Sequence, residues 1–176
     1  MASPTKPLLH HYFRSSCSGR VRIALNWKEI NYDTRHILLL KGEQHASDYL
    51  AKNPSGLVPT LEIDGHVIPQ SMAILEYLED AYPDTPTLLP GDAAQRAKAR
   101  AIAQVIASDI QPAQNMTVTN HIKDVIDAKP WNRRVIDQGF EKVEKMLQLS
   151  AGKYCVGDQV SVADVCLVPQ VWNAIR

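Results

Sequence analysis

The run Arg14-Ser15-Ser16-Cys17-Ser18-Gly19 lies between a candidate strand and a candidate helix, where free backbone N–H groups point outward. A helix start of this kind favours anions, a thiolate among them, through its unsatisfied donors and the helix dipole. The hydroxyls of Ser15, Ser16 and Ser18 add side-chain donors, although serine clusters in loops also serve as turn formers and caps. Cys17 has no partner at a C-x-x-C spacing, so dithiol redox chemistry is disfavoured, and a lone cysteine also fills space as a small buried group. Further along, Val58-Pro59 begins a strand, where proline sits at an edge or is cis. The Val58 backbone there either stops pairing or receives an extended peptide by strand addition. Gln70-Ser71 precedes a helix and reads as an N-cap worth typically ~1 kcal/mol, or as a seat for a ligand carboxylate on the same terminus. Together these segments describe a ligand that is peptide-like, carries a carboxylate and carries a thiol.

The elements that must position them follow from periodicity. Leu8 to Tyr12 reads as a strand, Arg20 to Ile30 as a helix with Val21, Ala24 and Leu25 on one face, and Tyr32 to Leu39 as a second strand. Glu43 to Lys52 reads as a polar helix closed by the turn Asn53-Pro54-Ser55-Gly56. Asp64-Gly65 joins the strands Leu57 to Ile63 and His66 to Ile68 as a hairpin, and Ser71 opens a helix with Ile74, Leu75 and Leu78 on one face. The first β-α-β needs a crossover and hence parallel pairing, while the hairpin adds an antiparallel strand. The expectation is an α/β domain with a mixed sheet over residues 1–82, in the element order of thioredoxin-like domains. Residues 83–91 hold three prolines and read as a linker; residues 92–176 read as all helix. Within that half, Ala93 to Ile110 is one helix that Pro112 must kink or end. Trp131 to Leu149 carries the stripe Ile136, Phe140, Val143 and Leu147. Ser161 and Asp164 form a capping-box variant, and Val162 to Val171 is apolar nearly all round, as in a buried central helix.

Composition narrows the partners. Nineteen basic and 19 acidic side chains in 176 residues give a formal net charge of zero, so no electrostatic footprint for nucleic acid or an anionic membrane surface is present. No apolar run approaches a membrane span and no secretory signal is read, so the expected location is cytoplasmic. Three widely spaced cysteines, Cys17, Cys155 and Cys166, argue against a disulfide framework and against a cysteine-based metal site; no metal is expected.

Ser15-Ser16-Cys17-Ser18 followed by Arg20-Val21-Arg22-Ile23 resembles the signature of zeta-class glutathione transferases, the family that includes maleylacetoacetate isomerase. The resemblance runs on through Val58-Pro59-Thr60-Leu61, Gln70-Ser71-Met72-Ala73-Ile74, Ile110-Gln111-Pro112, Gln114-Asn115 and Ala163-Asp164-Val165-Cys166. It covers essentially the whole chain. It implies the glutathione transferase fold, glutathione as cofactor, a small-molecule substrate and a homodimer. By the same resemblance Ser15 donates to the glutathione sulfur, with Ser16 and Cys17 lining the helix start. Val58 pairs with the cysteinyl backbone beside a cis Pro59, and Gln70 and Ser71 hold the γ-glutamyl carboxylate. His45 or Gln44 reaches the glycyl end, while Gln111 and Asn115 approach from the helical half. Arg14, Arg20 or Arg176 clamps a dicarboxylate substrate.

The implied activity is glutathione-dependent cis–trans isomerisation of maleylacetoacetate in phenylalanine and tyrosine catabolism, with conjugation or α-halo acid dehalogenation as side activities. Two departures from the family pattern stand out. Gly19 takes the place of a bulky aromatic, which implies a looser loop and slower turnover, and the family continues with helical structure beyond the position of Arg176. Both departures favour the competing expectation of a non-catalytic glutathione- or partner-binding module. The second also implies apolar surface left exposed on the last helix.

Overall fold

The computed structural model describes residues 6–175 and divides into two compact units, one up to Thr87 and one from Leu88. The first unit is built on a four-stranded sheet of order β2-β1-β3-β4, with β1 Leu8–His11, β2 Asp33–His36, β3 Thr60–Ile63 and β4 His66–Pro69. β1 pairs parallel with β2 and antiparallel with β3, and β3 pairs antiparallel with β4 through the Asp64-Gly65 turn. The mixed sheet inferred from the sequence is therefore present. Helices α1 (Ser16–Trp27) and α3 (Ser71–Ala81) pack together, burying Val21, Ala24 and Leu25 of one and Ile74, Leu75 and Leu78 of the other. Central strands β1 and β3 contribute Leu9, Leu61 and Ile63 to that core, while β2 is exposed along its whole length. Charged residues blunt this edge: Arg35 pairs with Asp48 at 2.9 Å. Lys28, 1% exposed, pairs with Glu79 at 2.8 Å and donates to Thr85 Oγ1 at 3.0 Å, tying the end of α1 to α3 and the segment after it.

Several elements are shorter than periodicity suggests. β3 begins at Thr60 rather than Leu57, because Pro59 has no N–H to offer a ladder. The strand expected over Tyr32 to Leu39 stops at His36, after which Leu39–Lys41 makes a 3₁₀ turn ended by left-handed Gly42 (φ 74°). The helix expected over Glu43 to Lys52 is broken at Ala46, whose extended backbone separates a turn at Glu43–His45 from the short α2 (Ser47–Leu50). Only Tyr49 is buried in that stretch, so no apolar stripe holds a longer helix together.

The second unit is helical: α4 Ala93–Gln104, α5 Gln111–Ala113, α6 Met116–Ile122, α7 Ala128–Leu147 and α8 Val162–Ala174. Asp92 and Gln95 close a capping box at the start of α4. The single helix expected to Ile110 instead widens into a π-helical turn over Val105–Ile110, where the Gln111 N–H bonds Ile106 O. Pro112, which has no N–H to donate, is accommodated at the start of α5 just beyond this widened turn. Gly139 of α7 lets the backbone approach there; a Cβ would meet the Ile110 side chain at 2.3 Å. Ser161 donates both its N–H and its hydroxyl to Asp164 Oδ2, each at 2.8 Å, completing the capping box of α8. That helix is buried on one side only. Val162, Ala163, Val165, Cys166 and Pro169 are enclosed, whereas Val168, Val171, Trp172 and Ile175 are exposed, so the all-round apolar composition does not correspond to all-round burial.

Candidate functional site

Sheet register brings the chemistry-bearing loops of the first unit to one end of the sheet. His10 near the end of β1 faces Thr60 at the start of β3, and Thr60 faces Pro69 at the end of β4. The Arg14–Ser18 loop, the Leu57–Pro59 segment and Gln70-Ser71 therefore emerge side by side. Ile37 donates its N–H to His11 O at 2.8 Å, so the loop leading to Gln44 and His45 leaves from the same end.

Ser15 is the N-cap of α1, with its Oγ accepting from the Ser18 N–H at 3.1 Å. That bond uses a lone pair on the hydroxyl and leaves its own proton free to donate outward. Ser16 and Cys17 occupy the first two helical positions, both half-buried, and no acidic side chain lies in this first turn. Gly19 is buried and donates to Ser15 O at 2.9 Å, so the helix begins regularly despite the glycine. Arg22 holds the preceding loop: it donates to Tyr12 O at 3.4 Å and Phe13 O at 3.3 Å, and it bonds His11 Nδ1 at 3.0 Å. Burial, the Arg22 charge and neighbouring His36 lower the His11 pKa to about 4. The ring is accordingly a neutral acceptor for Arg22 at pH 7.

Val58-Pro59 is a cis peptide. Among the described residues no hydrogen bond engages the Val58 backbone, although two side chains fix its neighbour. Tyr49 Oη donates to Leu57 O at 2.6 Å, and Asn53 Nδ2 donates to the same oxygen at 2.8 Å. Asn53 Nδ2 also reaches Thr60 Oγ1 at 3.0 Å, and its Oδ1 accepts from the Ser55 N–H at 3.1 Å. The result is a half-exposed backbone donor and acceptor held at a fixed place. Gly56, at φ 60°, lies so close to the preceding turn that a Cβ would stand 3.1 Å from His45 Nδ1. His45 is exposed and Gln44 half-buried, with Gln44 Oε1 enclosed and unpartnered.

Gln70 caps α3 at φ 70°, an uncommon backbone for a side-chain-bearing residue, and makes no capping bond with its side chain. The α3 N-terminus has neither a side-chain cap nor an acidic residue in its first turn. Ser71 is 5% exposed, and its Oγ accepts from Arg20 Nη1 at 3.2 Å. Arg20, one of the arginines expected to clamp a dicarboxylate substrate, is 2% exposed and lies beneath Ser71 instead, because α1 turns that face inward against α3. Arg14 is exposed; Arg176 lies outside the described residues. In the second unit Gln111 is half-buried at the end of the π-helical turn, and Asn115 Oδ1 is committed to capping α6 through the Thr117 N–H at 3.0 Å. Among the described residues no group of histidine, cysteine and acidic side chains is disposed to hold a metal. Periodicity misses Arg22, Tyr49 and Asn53; for Asn53 the turn Asn-Pro-Ser-Gly is a signal, whereas nothing in the sequence marks Tyr49.

The arrangement fits a thiol peptide. It offers a free hydroxyl donor at one helix start, an unpaired backbone donor and acceptor in the middle, and an uncapped helix N-terminus over a buried arginine at the far side. Comparison with known proteins agrees. The model of the glutathione S-transferase N-terminal domain matches residues 14–81. The chain is 52% identical over 177 residues to probable maleylacetoacetate isomerase 2 of Drosophila melanogaster, covering 99% of this chain and 77% of the relative. It is 53% identical over 173 residues to maleylacetoacetate isomerase of Rattus norvegicus, covering 97% and 79%. Among solved structures, a holo maleyl pyruvate isomerase, a bacterial zeta-class glutathione S-transferase, superposes with a TM-score of 0.91 at 38% identity, covering 96% of this chain and 82% of that one. Maleylacetoacetate isomerase of Anaeromyxobacter dehalogenans with bound glutathione superposes at 0.88 with 40% identity, covering 100% and 83%.

Proposed function

The chain belongs to the glutathione S-transferase family, in its zeta-class, maleylacetoacetate isomerase branch, and on that premise we propose that it is a glutathione-dependent isomerase converting maleylacetoacetate to fumarylacetoacetate. The observation that carries the reading is the Ser15 hydroxyl, whose lone pair is taken by the Ser18 N–H while its proton is free at the start of α1. When bound, glutathione would supply a thiolate nucleophile for the conjugated cis double bond, and it would be regenerated rather than consumed.

The chain's own residues make that possible. Ser15 donates to the sulfur and, with the N-terminus of α1, favours its anionic form, since donors aimed at a thiolate lower its pKa. Ser16 and Cys17 line the same terminus. Val58 binds the cysteinyl backbone through its unpaired N–H and C=O, as an added strand would be bound. Gln70 and Ser71 hold the γ-glutamyl carboxylate at the start of α3, and Gln44 or His45 reaches the glycyl end. Arg14 holds a carboxylate of the substrate, for which a guanidinium fork is suited. The protein works as a cytoplasmic homodimer.

A spectrophotometric isomerase assay with and without glutathione tests the reading. A rate that requires glutathione supports it. Measurable glutathione binding with no glutathione-dependent rate contradicts it and identifies a binding module instead.

A further inference from the structure

Arg20 presents an unusual account of hydrogen bonds. It is among the largest fully buried side chains, yet its sole hydrogen bond to a described residue is the one from Nη1 to Ser71 Oγ at 3.2 Å. Nε and Nη2 are enclosed and without partners. No described carboxylate pairs with it, although a buried charge is costly unless compensated. The group it touches stands at the N-terminus of α3, an 11-residue helix with no side-chain cap and no acidic residue in its first turn. Two sources of positive potential, a guanidinium and a helix terminus, are therefore stacked in a buried place where no carboxylate of the described residues pairs with the guanidinium.

Ser71 is what transmits this outward. With Arg20 donating to its Oγ, the hydroxyl is oriented so that its own proton points away from the arginine, and a charge-assisted bond to the oxygen makes that proton a stronger donor. The two orphaned guanidinium nitrogens, Nε and Nη2, are enclosed and the side chain is buried, so Arg20 does not touch a ligand itself. We propose that Arg20 is a positioning residue: it orients and polarises the Ser71 hydroxyl and supplies the buried charge that makes the α3 terminus selective for a ligand carboxylate. The inference rests on the glutathione reading above and assigns Arg20 to cofactor recognition rather than to the substrate.

The test is a binding cycle by calorimetry on the full chain. Glutathione is compared with an analogue in which hydrogen replaces the α-carboxylate of the γ-glutamyl residue, in the wild type and in Arg20→Met, Arg20→Gln and Arg20→Lys. Hydrogen bonds to charged groups are strong enough that the neutral variants should lose roughly tenfold or more in glutathione affinity. Their affinity for the analogue should change less than about twofold, because no carboxylate is there to be recognised. Arg20→Lys, which keeps the charge, should retain part of the carboxylate preference. A merely structural role predicts equal losses for both ligands, and that result overturns the inference while leaving the glutathione reading intact. A wild type that binds neither ligand overturns the reading itself. Arg20→Gln carries the same ratio test should Arg20→Met fail to fold.

Discussion

The two units hold their functional and structural residues by different means. In the first, the backbone of the candidate site is fixed by side chains: Arg22 on the loop before Ser15, Tyr49 and Asn53 on Leu57, Arg20 beneath Ser71. In the second, buried aliphatic residues on α4, the π-helical turn and α8 do most of the holding, among them Ile102, Ile106, Ile110 and Val165. A polar exception there, Gln114, joins Gln170 at 3.1 Å and Asn173 at 2.9 Å. Polar pinning places a few atoms accurately with little apolar area, whereas aliphatic packing supplies stability without specifying single atoms. Mutations in the two regions should therefore separate stability from chemistry.

The largest effect on folding belongs to the second unit. Ile106→Ala, at a fully buried position, should cost about 2–5 kcal/mol in chemical denaturation, with glutathione affinity preserved wherever the protein remains folded. Loss of affinity at unchanged stability would break the distinction. In the first unit, Asn53→Ala removes bonds to Leu57 O and Thr60 Oγ1 and should cost about 2–3 kcal/mol. It should also raise KM for glutathione, because the Val58 backbone loses one of its two anchors; a stability loss with unaltered KM would show that Tyr49 alone sets the segment.

The His11 contact responds to pH in a defined direction. His11 has a folded pKa of about 4 against an ordinary value of 6.5, so the unfolded chain takes up its proton first as pH falls. This contribution to stability is present above pH 6.5 and is lost progressively as pH falls from 6.5 toward 4. His11→Gln should flatten that part of the stability profile; an unchanged acid limb would place the titrating group elsewhere. The smallest effect is expected at Cys17, half-buried in the first turn of α1 and not used as a nucleophile in the proposed reaction. Cys17→Ala should change kcat by only a few-fold, on the order of the loss of one weak contact, and a loss equal to that of Ser15→Ala would reverse the ranking.

How much of this was legible in the sequence follows the same division. Ser15, Val58-Pro59 and Gln70-Ser71 declare themselves because caps, prolines and helix starts are local features, and the Asp64-Gly65 hairpin fixes the register that gathers them. Arg20 and Arg22 sit two residues apart in one helix with similar apparent chemistry. Only the packing of α1 against α3 decides that one lies beneath Ser71 and the other on the loop. Tyr49 offered no signal, since a tyrosine in a polar stretch looks the same whether its hydroxyl meets water or Leu57 O. In the helical unit, composition made α8 apolar all round but could not tell which side is covered, and Pro112 announced a disruption without specifying a π-helical turn.

In the proposed reaction, the Ser15 hydroxyl at the start of α1 sustains the thiolate of bound glutathione. Titrating that thiolate by its ultraviolet absorbance in the wild type and in Ser15→Ala tests it directly. The bound thiol should titrate well below the free peptide in the wild type and return toward the free value in Ser15→Ala. The isomerase rate of Ser15→Ala should fall roughly 100-fold or more, as when one donor to a developing anion is removed. An unshifted thiol in the wild type, or a shift that survives in Ser15→Ala, would contradict it.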